Sequence, residues 1–195
     1  MLKHTLIFIF SISTLLFPFN TYPNIAFNHY VKKQCGAGCV NIPALVSSVR
    51  QASDRHQVPD NLIYAVMAVE SSFRPKVVGG RINVGLMQVN RIAHRKKLKG
   101  NYYSVKHNVN VGTSILKACL KKSKGGIDKA LSCYKGSRNT AYIHKVRRNL
   151  ATIKQLRSGK LYLARSQTRH HLPVRVSKVK GPDRYRYKRL TLASR

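Results

Sequence analysis

Apolar side chains recur at every third or fourth position through the middle of the chain, a spacing that places them on one face of an α-helix. The stripe of Leu45, Val49 and Ala52 follows Pro43, which suits the first turn of a helix. Asp60 is a candidate N-cap for a second helix over 61–71. Further helices are predicted over 85–93, 109–122, 127–134 and, after a cap at Asn139 or Thr140, along the stripe Ile143, Val146, Leu150 and Ile153. Since strand-like alternation is weak, the sequence predicts a mainly α domain over residues 42–156.

The two ends of the chain differ from this middle region. Residues 1–26 combine a short basic start with the apolar stretch Leu6–Phe19, which is shorter than the roughly 18–20 residues needed to cross a membrane. We interpret them as a signal peptide cleaved near Ala26, or as an N-terminal anchor if uncleaved. Residues 27–41, with a Cys pair among glycines, are predicted to be a linker. Residues 157–195 are rich in lysine and arginine and predict a flexible basic tail, either a solvated appendage or a tether to an anionic surface.

Export would make the four cysteines more prone to pair than to remain free thiols. Four cysteines allow three connectivities. Cys119 and Cys133 would close a loop of about 15 residues, which stabilises a fold by about 3 kcal/mol in the chain-entropy view. Cys35 and Cys39 could close a small ring. A zinc site that includes His144 is the alternative, although close Cys/His pairs do not recur at ligand spacing. The sequence leaves the pairing open.

The charge of the chain bears on its partners. Lysine and arginine number 37 against 5 acids, which gives a net charge of +32. Such a chain binds polyanions, namely nucleic acid, anionic lipid or anionic cell-wall polymer, unless its lysines are simply solvated. Nucleic-acid binding has little support, because tryptophan is absent and no RNA-binding or zinc-finger pattern occurs. Phosphate-binding loops and dinucleotide fingerprints are also absent from the sequence, so we expect neither a cofactor nor a metal.

Glu70 is the only glutamate of the chain and the first candidate for acid–base chemistry. Ile63, Val66 and Met67 lie seven, four and three residues before it and share its helix face. An apolar surrounding and the carbonyl dipoles of a helix C-terminus both disfavour the carboxylate, so we expect a raised pKa. A carboxyl group that is still protonated near neutral pH can act as a general acid. The alternative is a glutamate that points into solvent at the end of the helix.

Five segments resemble, in order, the motifs of the lysozyme-like lytic transglycosylases. Ala68–Pro75 contains the Glu-Ser-x-Phe-x-Pro signature of that family, and Gly85–Asn90 contains its Gly-Leu-Met-Gln block. Three further segments fall where the family has its later motifs: Asn110–Leu116, Ala130–Tyr134 and the closing Tyr142–Val146. The resemblance covers about residues 42–150. The Cys pair and Ser-Cys-Tyr are most similar to the small transglycosylases that accompany type IV secretion systems.

This resemblance implies a lysozyme-like helical fold with a catalytic cleft. The implied substrate is the peptidoglycan glycan strand, cut between N-acetylmuramic acid and N-acetylglucosamine. Glu70 would protonate the glycosidic oxygen and then take the proton of the muramic 6-hydroxyl as a 1,6-anhydro ring closes. The implied location is the periplasm or the outside of the cell, near a type IV or related secretion or appendage apparatus. A membrane would be contacted only through an uncleaved N-terminal segment.

The same resemblance suggests roles for residues around Glu70. Ser71 would hydrogen-bond near the carboxyl or the substrate, or would merely end the helix. Met87 and Gln88 would line the cleft, although Met87 suits the core as well. Asn110 would serve as a polar group at a helix start or in the cleft, and Tyr134 would bring its hydroxyl and ring to the sugar.

The short list of acids favours a mechanism with one carboxyl. Ordinary glycoside hydrolases use two carboxyls about 5–9.5 Å apart. Asp60 lies ten residues before Glu70, which is about 15 Å along a helix. Asp54 and Asp128 suit surface or cap positions. Lys135 stands where the family usually has asparagine, which keeps a catalytically weak peptidoglycan-binding module as an alternative. A muramidase-type hydrolase is a further alternative.

Overall fold

The fold of this chain, seen in a computed structural model that describes residues 23–97 and 99–158, is built from six α-helices and a small antiparallel sheet. The helices are α1 Pro23–Cys35, α2 Ile42–His56, α3 Asp60–Glu70, α4 Val105–Lys122, α5 Ile127–Lys135 and α6 Thr140–Arg157, and one 3-10 turn covers Gly36–Gly38. The strands are β1 Val78–Gly79, β2 Asn83–Val84 and β3 Val89–Asn90. The prediction of a mainly α domain is confirmed. The predicted signal segment falls mostly, and the tail almost entirely, outside the described residues.

Helix α3 forms the centre of the core. Every residue from Leu62 to Ala68 is buried, and α3 packs against α6 on one side and α2 on another. A second layer is made by α4, which packs against both α2 and α5. Because α3 is buried on most of its surface, its C-terminal end is held inside the protein, and Glu70 is the last helical residue.

Side-chain caps fix where three helices begin. The side-chain oxygen of Asn41 accepts from Ala44 N at 2.9 Å, and that of Asn139 accepts from Tyr142 N at 2.9 Å. Ser104 caps α4 in the same way. Each such cap stabilises a helix by about 1 kcal/mol. Asn139 is therefore the cap of the last helix. Asp60 differs from its prediction, because it is the first helical residue and Pro59 precedes the helix.

The predicted linker over 27–41 is wrong in its first part. Phe27, Val31 and Cys35 are buried along one face of α1, which packs against α6. The ring of Phe27 lies 4.7 Å from that of Tyr64 in an edge-to-face contact. The four-residue spacing of these apolar side chains is a helical signal that the glycines and prolines around them concealed. None of the described helices is long and apolar enough to cross a membrane.

The helix predicted over 85–93 is also wrong. Strands β2 and β3 pair across this region, with Val84 opposite Val89. Gly85 has φ +77° and Gln88 has φ +46°, both in the left-handed region that a right-handed helix excludes. The tight connection between β2 and β3 therefore replaces the helix.

Two disulfides link the described cysteines, Cys35 to Cys39 and Cys119 to Cys133. The first closes the end of α1. The second joins α4 to α5, with the two Cα atoms 5.6 Å apart. The structure thus selects one of the three connectivities that the sequence left open.

Candidate active site

Glu70 sits where α3 ends and the chain turns sharply. Ser72 and Phe73 both adopt left-handed backbone conformations, with φ +50° and +59°. Such conformations cost a non-glycine residue of the order of 1–3 kcal/mol and persist only where packing imposes them. Phe73 is fully buried, so its packing holds the turn in place. The result is a fixed exit from the helix directly after the carboxyl group.

Glu70 lines a cleft of about 520 Å³, which lies within the range of small-molecule and sugar sites. The small sheet forms one wall, and the C-terminal halves of α4 and α5 form the other. The sheet and the segment after it contribute Asn83, Gln88, Val89, Asn90, Ala93, His94 and Lys97; the helices contribute Ile115, Ala118, Cys119, Lys122, Cys133, Tyr134 and Lys135. Several of these side chains offer hydrogen bonds for a polar ligand, and Glu70 is the only carboxyl among them.

Burial sets the ionisation of Glu70. Loss of solvent raises the pKa of its carboxyl above the ordinary value, and the nearby Tyr142 hydroxyl and Lys135 ammonium oppose this shift without cancelling it. The direction agrees with the expectation from the apolar helix face. The protonated form of Glu70 therefore persists to a higher pH than that of a solvated glutamate.

Tyr142 completes the surroundings of Glu70, and the sequence did not single it out as a site residue. Its hydroxyl is buried and makes no hydrogen bond of normal geometry to another described residue, but it lies near enough to Glu70 for each group to shift the pKa of the other. The Lys135 ammonium lies 5.2 Å from the centre of the Tyr142 ring. The available signal was the first residue of the closing motif, Tyr142–Val146. An unpartnered buried hydroxyl beside a carboxyl is available to that carboxyl or to a ligand.

Tyr134 lines the cleft as expected, but its hydroxyl proton is already used. The hydroxyl donates to the backbone oxygen of Met87 at 2.7 Å. Burial raises the pKa of Tyr134 well above its ordinary value, so the group stays neutral. What it offers a ligand is its ring and the lone pairs of its oxygen.

Met87 belongs to the core rather than to the cleft wall. Its side chain is fully buried against Gly112, where an added Cβ would lie 2.5 Å from the Met87 Cβ. The backbone N–H of Met87 donates to Asn108 Oδ1 at 2.9 Å, and Asn108 Nδ2 donates to Val84 O at 2.9 Å. Asn108, which the sequence analysis missed, thus fixes the backbone that receives the Tyr134 hydroxyl.

Gln88 lines the cleft, whereas Ser71 is buried behind the cleft wall and does not line it. The amide nitrogen of Gln88 donates to Val77 O at 3.0 Å and to Gly85 O at 2.9 Å, which fixes the side chain across the turn. Ser71 is buried, and its hydroxyl donates to Leu86 O at 2.8 Å. The residue next to Glu70 therefore ties the end of α3 to the Gly-Leu-Met-Gln segment.

Asn110 does not reach the cleft. Its side-chain oxygen lies 2.9 Å from His56 Nε2 and accepts from Arg55 Nη1 at 3.3 Å, so it faces α2. The expectation of a cleft residue is wrong. Asn108 and Asn110 are two positions apart, which is about 200° around a helix, so only one of the two can face the sheet.

The described aspartates all lie away from the cleft. Asp60 pairs with Arg157 at 2.7 Å, and Asp128 pairs with Arg147 at 2.6 Å. Asp54 is exposed on α2. A larger depression of about 970 Å³ between α1 and α2 has no acidic residue in the described part of its lining. Over 23–97 and 99–158 no three His, Cys, Asp or Glu side chains are grouped to hold a metal ion.

The geometry described so far can be compared with known proteins. Residues 47–155 match the family described as Transglycosylase SLT domain. The chain is 36% identical over 95 residues to the membrane-bound lytic murein transglycosylase C of Yersinia enterocolitica and 33% identical over 95 residues to that of Serratia proteamaculans. Each match covers 43% of this chain and 26% of the relative, so the chain spans about a quarter of the length of these relatives. No solved structure matches the chain. Because the matched region is more than half of the chain, this protein belongs to the family of lysozyme-like SLT transglycosylase domains.

Proposed function

We propose that this protein is a peptidoglycan lytic transglycosylase that cuts between N-acetylmuramic acid and N-acetylglucosamine and leaves a 1,6-anhydromuramic end. The observation that carries the proposal is a single carboxyl of raised pKa, Glu70, at the wall of a 520 Å³ cleft. No other carboxyl of the described residues lines that cleft. The names of the relatives support the same reaction class.

Glu70 acts first as a general acid. Its proton passes to the glycosidic oxygen as the bond from that oxygen to the anomeric carbon breaks, and the N-acetylglucosamine part leaves as an alcohol. A carboxyl held in its neutral form by burial suits this step, since the proton must be present before the bond breaks.

Glu70 then acts as a general base. The 6-hydroxyl of the same muramic residue attacks the anomeric carbon, and its proton passes to the Glu70 carboxylate. The bond between the anomeric carbon and O6 replaces the bond that was broken, so the enzyme returns to its starting protonation state. The Tyr142 hydroxyl and the Lys135 ammonium stabilise the transient carboxylate between the two steps.

Two alternatives make different use of the same cleft. In a hydrolase of muramidase type, water attacks in place of the 6-hydroxyl. In a weak peptidoglycan-binding module, the Lys135 ammonium beside Glu70 would favour the carboxylate so far that no acid remains. Because burial outweighs Lys135 in setting the pKa of Glu70, we favour turnover.

The test is a digest of purified sacculi by the full chain, with the products analysed by mass. Anhydro-muropeptides are expected, and Glu70→Gln should abolish them. Products one water heavier, with reducing ends, would indicate the hydrolase. Binding to sacculi without product, in wild type and Glu70→Gln alike, would indicate the binding module.

We further propose that the protein works in the cell envelope, in the periplasm or outside the cell, on the wall around a secretion or appendage apparatus. The resemblance of the Cys pair and of Ser-Cys-Tyr to transglycosylases of type IV secretion systems supports the apparatus. The relatives named membrane-bound lytic murein transglycosylase support the envelope. Fractionation of cells that carry the tagged full chain tests the location, and co-purification with apparatus components tests the partner.

A further inference from the structure

The candidate cleft is strongly cationic. Three lysines, Lys97, Lys122 and Lys135, line it together with His94, and Glu70 is the only acid in its described lining. Burial and the nearby Lys97 lower the pKa of His94, so its ring is neutral near pH 7 and serves as a hydrogen-bonding group. The three ammonium groups therefore carry the positive charge of the site.

The three lysines come from three separate parts of the fold. Lys97 lies in the turns after β3, Lys122 is the last residue of α4, and Lys135 is the last residue of α5. Lys135 is held in place by its contact with the Tyr142 ring. The cations thus occupy both walls of the cleft, so a ligand that lies along it meets positive charge from both sides.

A simpler explanation accounts for part of this pattern. Lysines near helix C-termini complement the negative end of the helix dipole. Lys121 and Lys122 both lie in the last turn of α4, but only Lys122 is in the cleft lining. Lys97 is not in a helix, so the dipole does not explain it. Lys121 therefore provides a matched control for charge without position.

We propose that Lys97, Lys122 and Lys135 bind the carboxylates of the peptide stems attached to muramic acid, and that the cleft selects glycan strands with ionised stems. The inference rests on the proposed function. The sugar rings of the glycan backbone are uncharged, so they give three cations nothing to pair with. Carboxylates on the stems lie beside the same sugar that the cleft would hold, and ammonium groups bind carboxylates through charge-assisted hydrogen bonds.

The experiment compares two substrates of the same size. One is a soluble glycan strand with intact stems; the other is the same strand after its carboxylates have been converted into methylamides. Wild type should release anhydro product from the intact strand about tenfold faster at low salt, because three partly solvated ion pairs of about 0.5 kcal/mol each are lost on amidation. The triple variant Lys97→Gln/Lys122→Gln/Lys135→Gln should bring the ratio close to one, whereas Lys121→Gln should keep it.

The ratio of the two rates is the decisive readout. Lys135 also acts on the pKa of Glu70, and that effect cancels when one variant is compared on two substrates. If the triple variant does not fold, the single variant Lys97→Gln, at an exposed position outside the helices, should reduce the ratio about twofold. A third strand, freed of phosphate polymers with hydrofluoric acid, should behave like the intact one.

The other possible outcomes distinguish a failure of the proposed stem binding from a failure of the proposed transglycosylase activity. A wild-type ratio of one, or a ratio that the lysine variants leave unchanged, would overturn the selection of stems while the transglycosylase activity stands. A rate that falls when the phosphate polymers are removed, while amidation leaves it unchanged, would assign the lysines to phosphate instead. If neither strand yields anhydro product, the proposed function fails first.

Discussion

Helix α3 carries an acid at each end, and the two are in opposite situations. Asp60, at the N-terminus, is partly exposed, pairs with Arg157 and meets the positive end of the helix dipole. Glu70, at the C-terminus, lies in the cleft wall without an ion pair to another described residue, and burial raises its pKa. The fold gives Asp60 a cationic partner and gives Glu70 a poorly solvated place in the cleft wall. Of the two acids on this helix, Glu70 is the one whose raised pKa suits it to proton transfer.

The largest expected difference between Asp60 and Glu70 is in enzymatic activity. Glu70→Gln should reduce the release of anhydro-muropeptides at least about a hundredfold, since loss of general acid–base catalysis costs 10²–10⁴ in rate. Asp60→Asn should stay within about twofold of wild type, because Asp60 does not line the cleft. Rates are measured from the mass-resolved products of a sacculus digest. Equal losses of activity in both variants would show that the activity depends on the integrity of α3 and not on the Glu70 carboxyl.

For stability we expect the reverse: the substitution of Asp60, and not that of Glu70, should destabilise the fold. Asp60→Asn should lower the free energy of unfolding by about 0.5–1 kcal/mol, because it removes a partly exposed ion pair and a favourable helix-end charge. Denaturant unfolding at pH 7 measures the change. Asp54→Asn, an exposed substitution in the last turn of α2, is the control and should not lower the stability, because a negative charge there opposes the helix dipole. An Asp60→Asn protein as stable as wild type would mean that the pair with Arg157 contributes nothing.

The pH dependence of stability should distinguish the two acids further. Because the pKa of Glu70 is raised on folding, its contribution to stability is present below its unfolded pKa and is lost as the pH rises through its folded pKa. Glu70→Gln should therefore melt at a higher temperature than wild type near pH 7, and the gap should narrow as the pH falls toward about 4.5, the ordinary pKa of the carboxyl. Thermal melts from pH 4 to pH 8 test this. A gap of constant size would argue against a raised pKa.

The smallest expected effect concerns the neighbours of Glu70. The Tyr142 hydroxyl lowers the pKa of Glu70, so Tyr142→Phe should move the alkaline limb of the activity profile to higher pH. Lys135→Gln should move it in the same direction, since the ammonium also lowers this pKa. Tyr103→Phe, at an exposed site, is the control. A shift to lower pH in either variant would contradict the described arrangement around Glu70.

The pattern of the sequence was sufficient for most helices around the core and for the apolar surroundings of Glu70. Stripes such as Leu45, Val49 and Ala52 follow directly from helical periodicity, and a sole glutamate on an apolar face leaves few alternatives for an acid. The first helix is hidden in the sequence, because the nearby proline and glycines indicate a loop while the spacing of Phe27 and Val31 indicates a helix. Local composition and periodicity conflicted there, and burial against the rest of the core determined the outcome.

The rest of the site depends on long-range contacts that a linear pattern does not contain. Met87 lies in the core because Gly112, on another element, leaves room for it. Asn108, and not Asn110, contacts the segment between β2 and β3 because of the way α4 is rotated about its axis. Packing of α4 against α2 and α5 fixes this rotation. Tyr142 and Lys135 reach Glu70 only after α5 and α6 have packed. Residue types were therefore easier to predict than the partners of each side chain.

The bond between Cys119 and Cys133 has one more consequence. It ties α4 to α5 by a covalent link within the lining of the cleft, which limits how far the two helices of that wall can separate. For the glycan strand that we propose as substrate, most of the conformational cost of binding should therefore fall on the sugar chain instead of on the protein.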